Sequence, residues 1–128
     1  MPEISRFMPP AGGRKFPPFA ISVRHGATLY VSGIGPIGPD GVPKDDFAAQ
    51  FALVIDHLQR ALVEGGSNMR SILKTSVLLT RAGDVAEMNR LYAEAFPADA
   101  LPARTTSIVA ALPVPEFLLE IECIAAVY

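Results

Sequence analysis

The spacing of apolar residues changes along the first half of the chain and predicts a hairpin followed by a helix. Apolar and polar residues alternate on both sides of residues 24–27, which predicts a β-hairpin with Gly26 supplying the positive φ of its turn. Over residues 45–64 the apolar positions recur every three or four residues, which predicts an amphipathic helix. Asp45 or Asp46 can cap its start, and Gly65-Gly66 ends it.

The second half of the chain predicts a strand, a helix and two further strands. Residues 71–80 have the composition of a strand. Residues 83–96 have helical spacing, with Asp84 as the predicted N-cap and Pro97 after the last turn. Two strands close the chain, at residues 105–111 and 117–127, joined by the turn LPVPE.

These elements predict a single α+β domain over residues 1–128. Their order is β-β-α-β-α-β-β, which favours a mixed sheet with both helices on one face. The first 18 residues contain five prolines and two adjacent glycines, so we expect residues 1–18 to form an extended, partly disordered lead-in.

The last strand predicts that the protein associates with itself. Alternate residues from Leu119 to Val127 are apolar and should meet the helices. The intervening positions include Glu120 and Glu122 beside apolar residues, a mixture that suits neither water nor a dry core. Two helices cannot cover both faces of such a sheet, so we expect other subunits to cover the second face.

Charge and cysteine content narrow the classes of partner. The net charge is -2 and the basic residues are scattered, which argues against nucleic acid. Cys123 is the single cysteine, so no intrachain disulfide forms and we expect a cytoplasmic protein. No apolar run reaches the roughly 20 residues of a membrane span, and the start resembles no signal peptide. His25 and His57 lie in no spaced motif, so no metal site is predicted.

Arg104 and Glu120 are the residues most suggestive of chemistry. If residues 105–111 pair antiparallel with residues 117–127, both side chains should approach each other on the face that meets other subunits. The guanidinium would bind a carboxylate in a planar, bidentate manner, and the glutamate would deprotonate a water. A structural ion pair across an interface fits the same spacing.

Other polar residues leave two interpretations open. The Ser32 hydroxyl and the Gly33 and Gly35 amides would line a pocket, or serve ordinary turn chemistry. Asn89, on the flank of the second helix, is either a solvated group or one that faces an adjacent subunit. Cys123 reads as a packed thiol and His57 as a surface residue.

The chain resembles the Rid/YjgF family of reactive-intermediate deaminases, also labelled L-PSP endoribonucleases. The resemblance begins near Phe19 and rests on a set of motifs in a fixed order: YVSG at 30–33, VEGGSNMRSILKTSVLLT at 63–80, MNRLYAEAFP at 88–97, PART at 102–105 and EIECIA at 120–125. It implies a chorismate-mutase-like fold, a homotrimer around a central barrel of sheets, and ligand clefts between subunits.

The resemblance also implies a reaction and roles for the site residues. Active members hydrolyse 2-imino acids or their enamine tautomers, such as 2-iminobutanoate and 2-iminopropanoate, to 2-oxo acids and ammonia without a cofactor. Arg104 would hold the substrate carboxylate and Glu120 would orient the attacking water. Ser32, Gly33 and Asn89 would contribute to substrate binding.

Two residues of the implied site differ from the best-studied branch of the family. That branch has a tyrosine at the position of Phe19 and a cysteine at the position of Thr106, so both residues are expected to bear on substrate choice. Two alternatives stand beside deamination: a trimer that binds a small carboxylate without turning it over, and the endoribonuclease that the family label names.

Overall fold

The computed structural model describes residues 2–10 and 16–128, and its first element corrects the expectation of a lead-in. Ile4–Phe7 forms strand β1, which pairs antiparallel with strand β2, Ser22–His25. The element order is therefore β-β-β-α-β-α-β-β, one strand more than predicted. This strand was not predicted because it has only four residues and prolines lie on both sides of it, so turn-forming residues dominate the local sequence. Residue 1 and residues 11–15 of the expected lead-in lie outside the described residues.

The predicted hairpin at Gly26 is confirmed. Strand β2 pairs antiparallel with β3, Thr28–Ile34, in a register that sets His25 opposite Thr28. Gly26 has a φ of 62°, in the left-handed region where glycine is tolerated best.

The first predicted helix is also confirmed, as α1, Phe47–Glu64. Asp46 caps it, because its carboxylate accepts a hydrogen bond of 3.0 Å from the Ala49 amide. The Gly65 amide donates to the Ala61 carbonyl at the other end. The apolar stripe of α1 packs on the sheet, and its fully buried members include Val54, Leu58 and Leu62.

The second helix, α2, spans Val85–Ala95 and follows a short 3₁₀ turn at Ala82–Asp84. Asp84 stands at the N-cap position, but its side chain makes no capping hydrogen bond. The carboxylate instead pairs with Arg81 at 2.8 Å. The predicted N-cap position of Asp84 is therefore confirmed, although its carboxylate pairs with the neighbouring guanidinium and not with a backbone amide of the helix.

The sheet has six strands in the order β1-β2-β3-β6-β4-β5, and it corrects the expected pairing of the last two strands. Strand β5, Ala103–Ile108, runs parallel to β4, Ile72–Leu79. Strand β6, Leu119–Ala126, lies between β3 and β4 and is antiparallel to both. The unit β4–α2–β5 is a crossover connection, which makes its two strands parallel.

Both helices pack on one face of this sheet, as predicted for an α+β fold. The alternate residues of β6 predicted to meet the helices are buried: Leu119, Ile121, Cys123 and Ala125. Burial raises the pKa of the Cys123 thiol to about 12, with the nearby Glu122 charge adding to the effect. The expectation of an inert, packed thiol is confirmed.

The opposite face of the sheet is open. It carries Glu120 and Glu122 together with apolar side chains, of which Tyr30 is 50% exposed and Ile124 36% exposed. Coverage of this open face by other subunits stays a prediction. No helix among residues 2–10 and 16–128 is both long and apolar enough to cross a membrane.

Candidate functional site

Arg104 contacts three residues of α2, which together with it form what we call the Arg104 cluster: Met88, Asn89, Tyr92 and Arg104. The guanidinium carbon lies 4.8 Å from the centroid of the Tyr92 ring, over its face. Nη2 donates a hydrogen bond of 2.7 Å to Oδ1 of Asn89. Nη1 lies 3.8 Å from the Met88 sulfur. These contacts fix the plane of the guanidinium at the edge of the sheet.

Tyr92, which supports Arg104, is itself firmly held. Its ring is buried and stacks on Phe96 with centroids 3.9 Å apart. Its hydroxyl shares a hydrogen bond of 2.7 Å with the buried Thr75 hydroxyl on β4. Burial raises the pKa of the Tyr92 hydroxyl, so the phenol stays neutral. The ring is thus a rigid platform whose position both β4 and α2 determine.

The charge of Arg104 is not balanced by any of the described residues. Across residues 2–10 and 16–128, no carboxylate lies within ion-pairing distance of its guanidinium. Arg104 is exposed on β5, an edge strand. Thr106 lies two residues further along the same strand, on the same face, and is half-buried. The Arg104 cluster therefore places a cation of fixed orientation at the exposed edge of the sheet, where a ligand or another chain can reach it.

Glu120 lies in a different place, a cleft of about 910 Å³ that we call the Glu120 cleft. Its walls come from the segment before β2, the end of β3 and the loop after it, α1, and the loop before β6. Apolar side chains dominate these walls, among them Phe19, Ile37, Val114 and Phe117. Ser32 and Gly33 also line the cleft, so four predicted site residues meet here: Phe19, Ser32, Gly33 and Glu120.

The end of β3 brings the backbone close to the Glu120 carboxylate. The register of β3 against β6 shifts between Val31 and Ile34, which marks a bulge at Ser32 and Gly33. A Cβ on Gly33 would lie 3.1 Å from Oε2 of Glu120, so glycine allows this close approach. The Ser32 hydroxyl donates to the Ala20 carbonyl at 2.7 Å, which leaves its oxygen only as an acceptor.

His57 is part of this cleft and not the free surface residue that was expected. It is half-buried on α1, and its Nε2 lies 2.7 Å from the Ile37 carbonyl oxygen. Because a carbonyl only accepts, Nε2 carries the hydrogen in this bond. His57 therefore ties α1 to the loop that forms one wall of the Glu120 cleft.

The environment of the Glu120 carboxyl makes it more basic than a glutamate in water. Burial in the cleft raises its pKa, and the like charge of Glu122 raises it further. A carboxylate in this environment holds a proton more readily than one in water, which suits a group that takes a proton from a bound water.

Among the described residues, no group of three or more His, Cys, Asp or Glu side chains is arranged to hold a metal ion.

Arg104 and Glu120 do not approach each other within one chain, contrary to the expectation from strand parity. Arg104 pairs in register with Thr75, and Glu120 pairs with Leu78 on the same strand β4. Thr75 and Leu78 are three residues apart, so they point to opposite faces of the sheet. Arg104 lies on the helix side and Glu120 on the open face, with β4 between their strands.

Sequence reasoning missed Tyr92 and Met88 as parts of the site, together with the apolar walls around Glu120. A signal for the first two was present: Met88 and Tyr92 are four residues apart, so on a helix they share the face that Asn89 borders. No local signal identifies Phe117 or Ile37 as cleft residues, because the loops that carry them meet only in the folded chain.

The fold, the Arg104 cluster and the Glu120 cleft together define an α+β protein with an oriented arginine at a sheet edge and a basic carboxylate in an apolar cleft. A family model described as Endoribonuclease L-PSP matches residues 14–127. The chain therefore belongs to this family, which is also called YjgF or Rid, as the resemblance of its motifs predicted.

Relatives and solved structures agree with this membership. The mitochondrial protein mmf2 of Schizosaccharomyces pombe is 32% identical over 85% of this chain and 87% of its own length. Reactive Intermediate Deaminase A of Arabidopsis thaliana, a chloroplastic protein, is 31% identical over 84% of this chain and 58% of its own length. The crystal structure of the Rid family protein YyfA from Yersinia pestis superposes with a TM-score of 0.88 at 30% identity, covering 98% of this chain and 100% of that one.

Proposed function

We propose that the protein hydrolyses 2-imino acids, or their enamine tautomers, to 2-oxo acids and ammonia without a cofactor. The observation that carries this proposal is the Arg104 guanidinium, which Tyr92 and Asn89 hold at an exposed edge without a carboxylate partner among the described residues. An arginine fixed in this way suits a ligand carboxylate, which it binds through two parallel hydrogen bonds. The relative named Reactive Intermediate Deaminase A supports this class of reaction.

We place the reaction at a cleft between subunits, because neither the Arg104 cluster nor the Glu120 cleft is a complete site in one chain. The Arg104 cluster offers an anchor but no base. The Glu120 cleft offers a base, and the arginine of its described lining, Arg60, is exposed and pairs with Asp56. A homotrimer, as the family resemblance implies, would bring Arg104 of one copy to the Glu120 cleft of the next. The half-apolar open face of the sheet supports self-association of this kind.

The chemistry needs little beyond positioning. Arg104 binds the substrate carboxylate and so fixes the adjacent C=N carbon, which in the iminium form is already electrophilic. Glu120 accepts a proton from a water as its oxygen adds to that carbon. Glu120 returns this proton to the nitrogen of the resulting carbinolamine, and the C–N bond breaks to release ammonia. Glu120 takes the hydroxyl proton as the C=O bond of the 2-oxo acid forms, and ammonia then accepts that proton. One iminium and one water thus give one 2-oxo acid and one ammonium ion.

The remaining predicted site residues support these two groups. Asn89 orients the guanidinium through its amide oxygen. Ser32 and Gly33 shape the backbone beside the Glu120 carboxylate. Phe19 forms part of the apolar wall in place of a hydroxyl-bearing tyrosine, and Thr106 follows Arg104 on β5. A cytoplasmic location stays a prediction, since the names of two relatives place them in mitochondria and chloroplasts.

The test is ammonia release from 2-iminobutanoate or 2-iminopropanoate generated in situ by an amino-acid oxidase. We expect the wild-type protein to accelerate release over buffer and Arg104→Ala to lower kcat/KM about 100-fold, the size of a lost charge-assisted, bidentate contact. Arg90→Ala is the matched control, because Arg90 is exposed on α2 and its ion pairs within the described part of the chain are with Glu87 and Glu94. It should leave kcat/KM unchanged.

The outcomes separate the competing functions. If the wild-type protein gives no acceleration but binds a 2-oxo acid in an Arg104-dependent manner, the protein is a carboxylate-binding module. The ribonuclease named in the family description predicts RNA cleavage that Arg104→Ala and Glu120→Ala abolish. Cleavage that survives both changes would point to a contaminant.

A further inference from the structure

We infer that the Glu120 cleft selects 2-imino acids with a large apolar side chain, branched or aromatic, over those derived from alanine. The inference rests on the proposed function and names the substrate class of the same site. Its basis is the composition of the cleft walls on the side away from the carboxylate.

The walls of the cleft are apolar over most of their extent. Phe19 comes from the segment before β2, Ile37 from the loop after β3, and Val114 and Phe117 from the loop before β6. The Phe117 ring packs directly on Gly35, where a Cβ would clash with it, so this wall has little freedom to move. Three chain segments thus converge on one apolar space beside Glu120.

Most polar side chains of the cleft other than Glu120 already have a hydrogen-bond or ion-pair partner within the protein. The Ser32 hydroxyl donates to the Ala20 carbonyl, and His57 donates to the Ile37 carbonyl. Arg60, at the rim, pairs with Asp56 at 3.1 Å. A second carboxylate of the lining, Glu64, is exposed at the end of α1. A substrate side chain in this space therefore meets mainly apolar surface, not a set of unsatisfied donors that would select a polar substituent.

The orientation of the substrate follows from the proposed chemistry. The C=N carbon must lie beside Glu120, and we expect the carboxylate to face an arginine from another copy, because Arg60, the arginine of the described lining, is exposed and pairs with Asp56. The third substituent on that carbon is the side chain, and the apolar walls are what remains for it. A cleft of about 910 Å³ is at the upper end of the size of small-ligand sites, and an alanine-derived substrate has only a methyl group to place there.

The test compares kcat/KM for imines generated in situ from alanine, 2-aminobutanoate, leucine and phenylalanine. Semicarbazide traps free imine, so acceleration by the protein is read as loss of semicarbazone at constant oxidase activity. Burial of one methylene favours the bound state about fourfold. We expect kcat/KM to rise along the series, by at least about tenfold from the alanine-derived to the leucine-derived imine.

A pair of matched variants tests whether the cleft causes this preference. Val114→Trp fills apolar space in the cleft from a half-buried position, and we expect it to lower the ratio of kcat/KM for the leucine-derived over the alanine-derived imine at least about fivefold. Val63→Trp makes the same change at a site on α1 that is 70% exposed and outside the cleft. It should leave the ratio unchanged.

Two results would overturn the inference, and they differ. A wild-type protein that accelerates all four imines equally, or prefers the alanine-derived one, confirms deamination and refutes the selectivity. A ratio that Val114→Trp and Val63→Trp change alike also refutes the role of the cleft. Absence of acceleration with every imine overturns the proposed function itself.

Discussion

The carboxyl of Glu120 is subject to two effects of the same sign. Burial and the charge of Glu122 both disfavour its ionised form and raise its pKa. The proposed reaction requires this carboxyl to be ionised when the water attacks the C=N carbon. The activity should therefore rise with pH through a pKa above the ordinary range of a glutamate, and the residue responsible should be identifiable by substitution.

We predict that Glu122→Gln moves the acidic limb of the kcat/KM profile to lower pH, because removal of a like charge lowers the pKa of Glu120. Glu120→Gln should lower kcat/KM about 10²–10⁴-fold and abolish the limb. Glu116→Gln, a change at an exposed carboxyl outside the cleft, should leave the limb in place. Measurement of initial rates from pH 4 to 9 checks all three.

Thermal unfolding of Glu120→Gln distinguishes lost chemistry from lost structure. Because the pKa of Glu120 is raised in the fold, its ionised form is disfavoured there, and the native state is destabilised above that pKa relative to the protonated form. The variant should unfold at no lower temperature than the wild type at pH 7.

For the pH profile, an acidic limb that is unchanged in Glu122→Gln and Glu120→Gln would assign the titration to another group.

Among the elements, α2 determines the direction of Arg104. The arginine belongs to β5, an edge strand with one neighbour, yet its guanidinium lies on a ring and an amide from α2. Tyr92 is in turn fixed by Thr75 on β4, so three consecutive elements of the β4–α2–β5 unit meet at this point. The ring and the hydroxyl of Tyr92 should therefore have separable effects.

We predict that Tyr92→Leu raises KM for a carboxylate substrate about tenfold with a smaller effect on kcat, because it removes the aromatic face under Arg104. Tyr92→Phe keeps that face and should keep KM near the wild-type value. It leaves the buried Thr75 hydroxyl without its partner, which should lower the free energy of unfolding by about 1–3 kcal/mol. Steady-state kinetics and urea unfolding of both variants provide the measurements, and equal KM values in the two would show that the ring does not support Arg104.

How far the sequence predicts the fold depends on the element. Strong periodicity located α1, α2 and the Gly26 hairpin, because burial of an apolar stripe and a tight turn both leave local signals. Strand β1 was missed because four residues between prolines carry almost no pattern. The pairing of β5 was wrong because LPVPE suggested a hairpin to β6, while the helix between β4 and β5 already implied a parallel crossover.

The same error of pairing explains what the sequence could say about the site. Arg104 and Glu120 were identified by residue type and by resemblance, whereas their placement required the register of β4 with both neighbours. Phe19, Ser32 and Gly33 do gather around Glu120, but the apolar walls that we expect to select the substrate come from loops. Contacts between distant loops depend on the whole fold and leave no periodic trace.

At the scale of the whole molecule, the open face of the sheet and the separation of Arg104 from Glu120 both favour an assembly of several copies. Tyr30 and Ile124 are exposed on the face that carries Glu120, and Arg104 lies at the edge of the other face. One chain cannot bring the cation and the carboxylate together. A closed ring of identical copies can do so, because in a cyclic assembly the same contact repeats between each copy and the next.

Complementation between two inactive variants tests this arrangement directly. Arg104→Ala and Glu120→Gln should each keep at most about 1% of the wild-type activity alone. Equal amounts unfolded and refolded together should form mixed assemblies. If each site takes its arginine from one copy and its glutamate from the next, about a quarter of the sites have both residues, and the mixture should recover about a quarter of the wild-type activity. Light scattering should give a mass near three times the 13.7 kDa chain. The double variant, refolded in the same way, is the control and should stay inactive; a mixture that also stays inactive while forming trimers would place both residues of each site in a single chain.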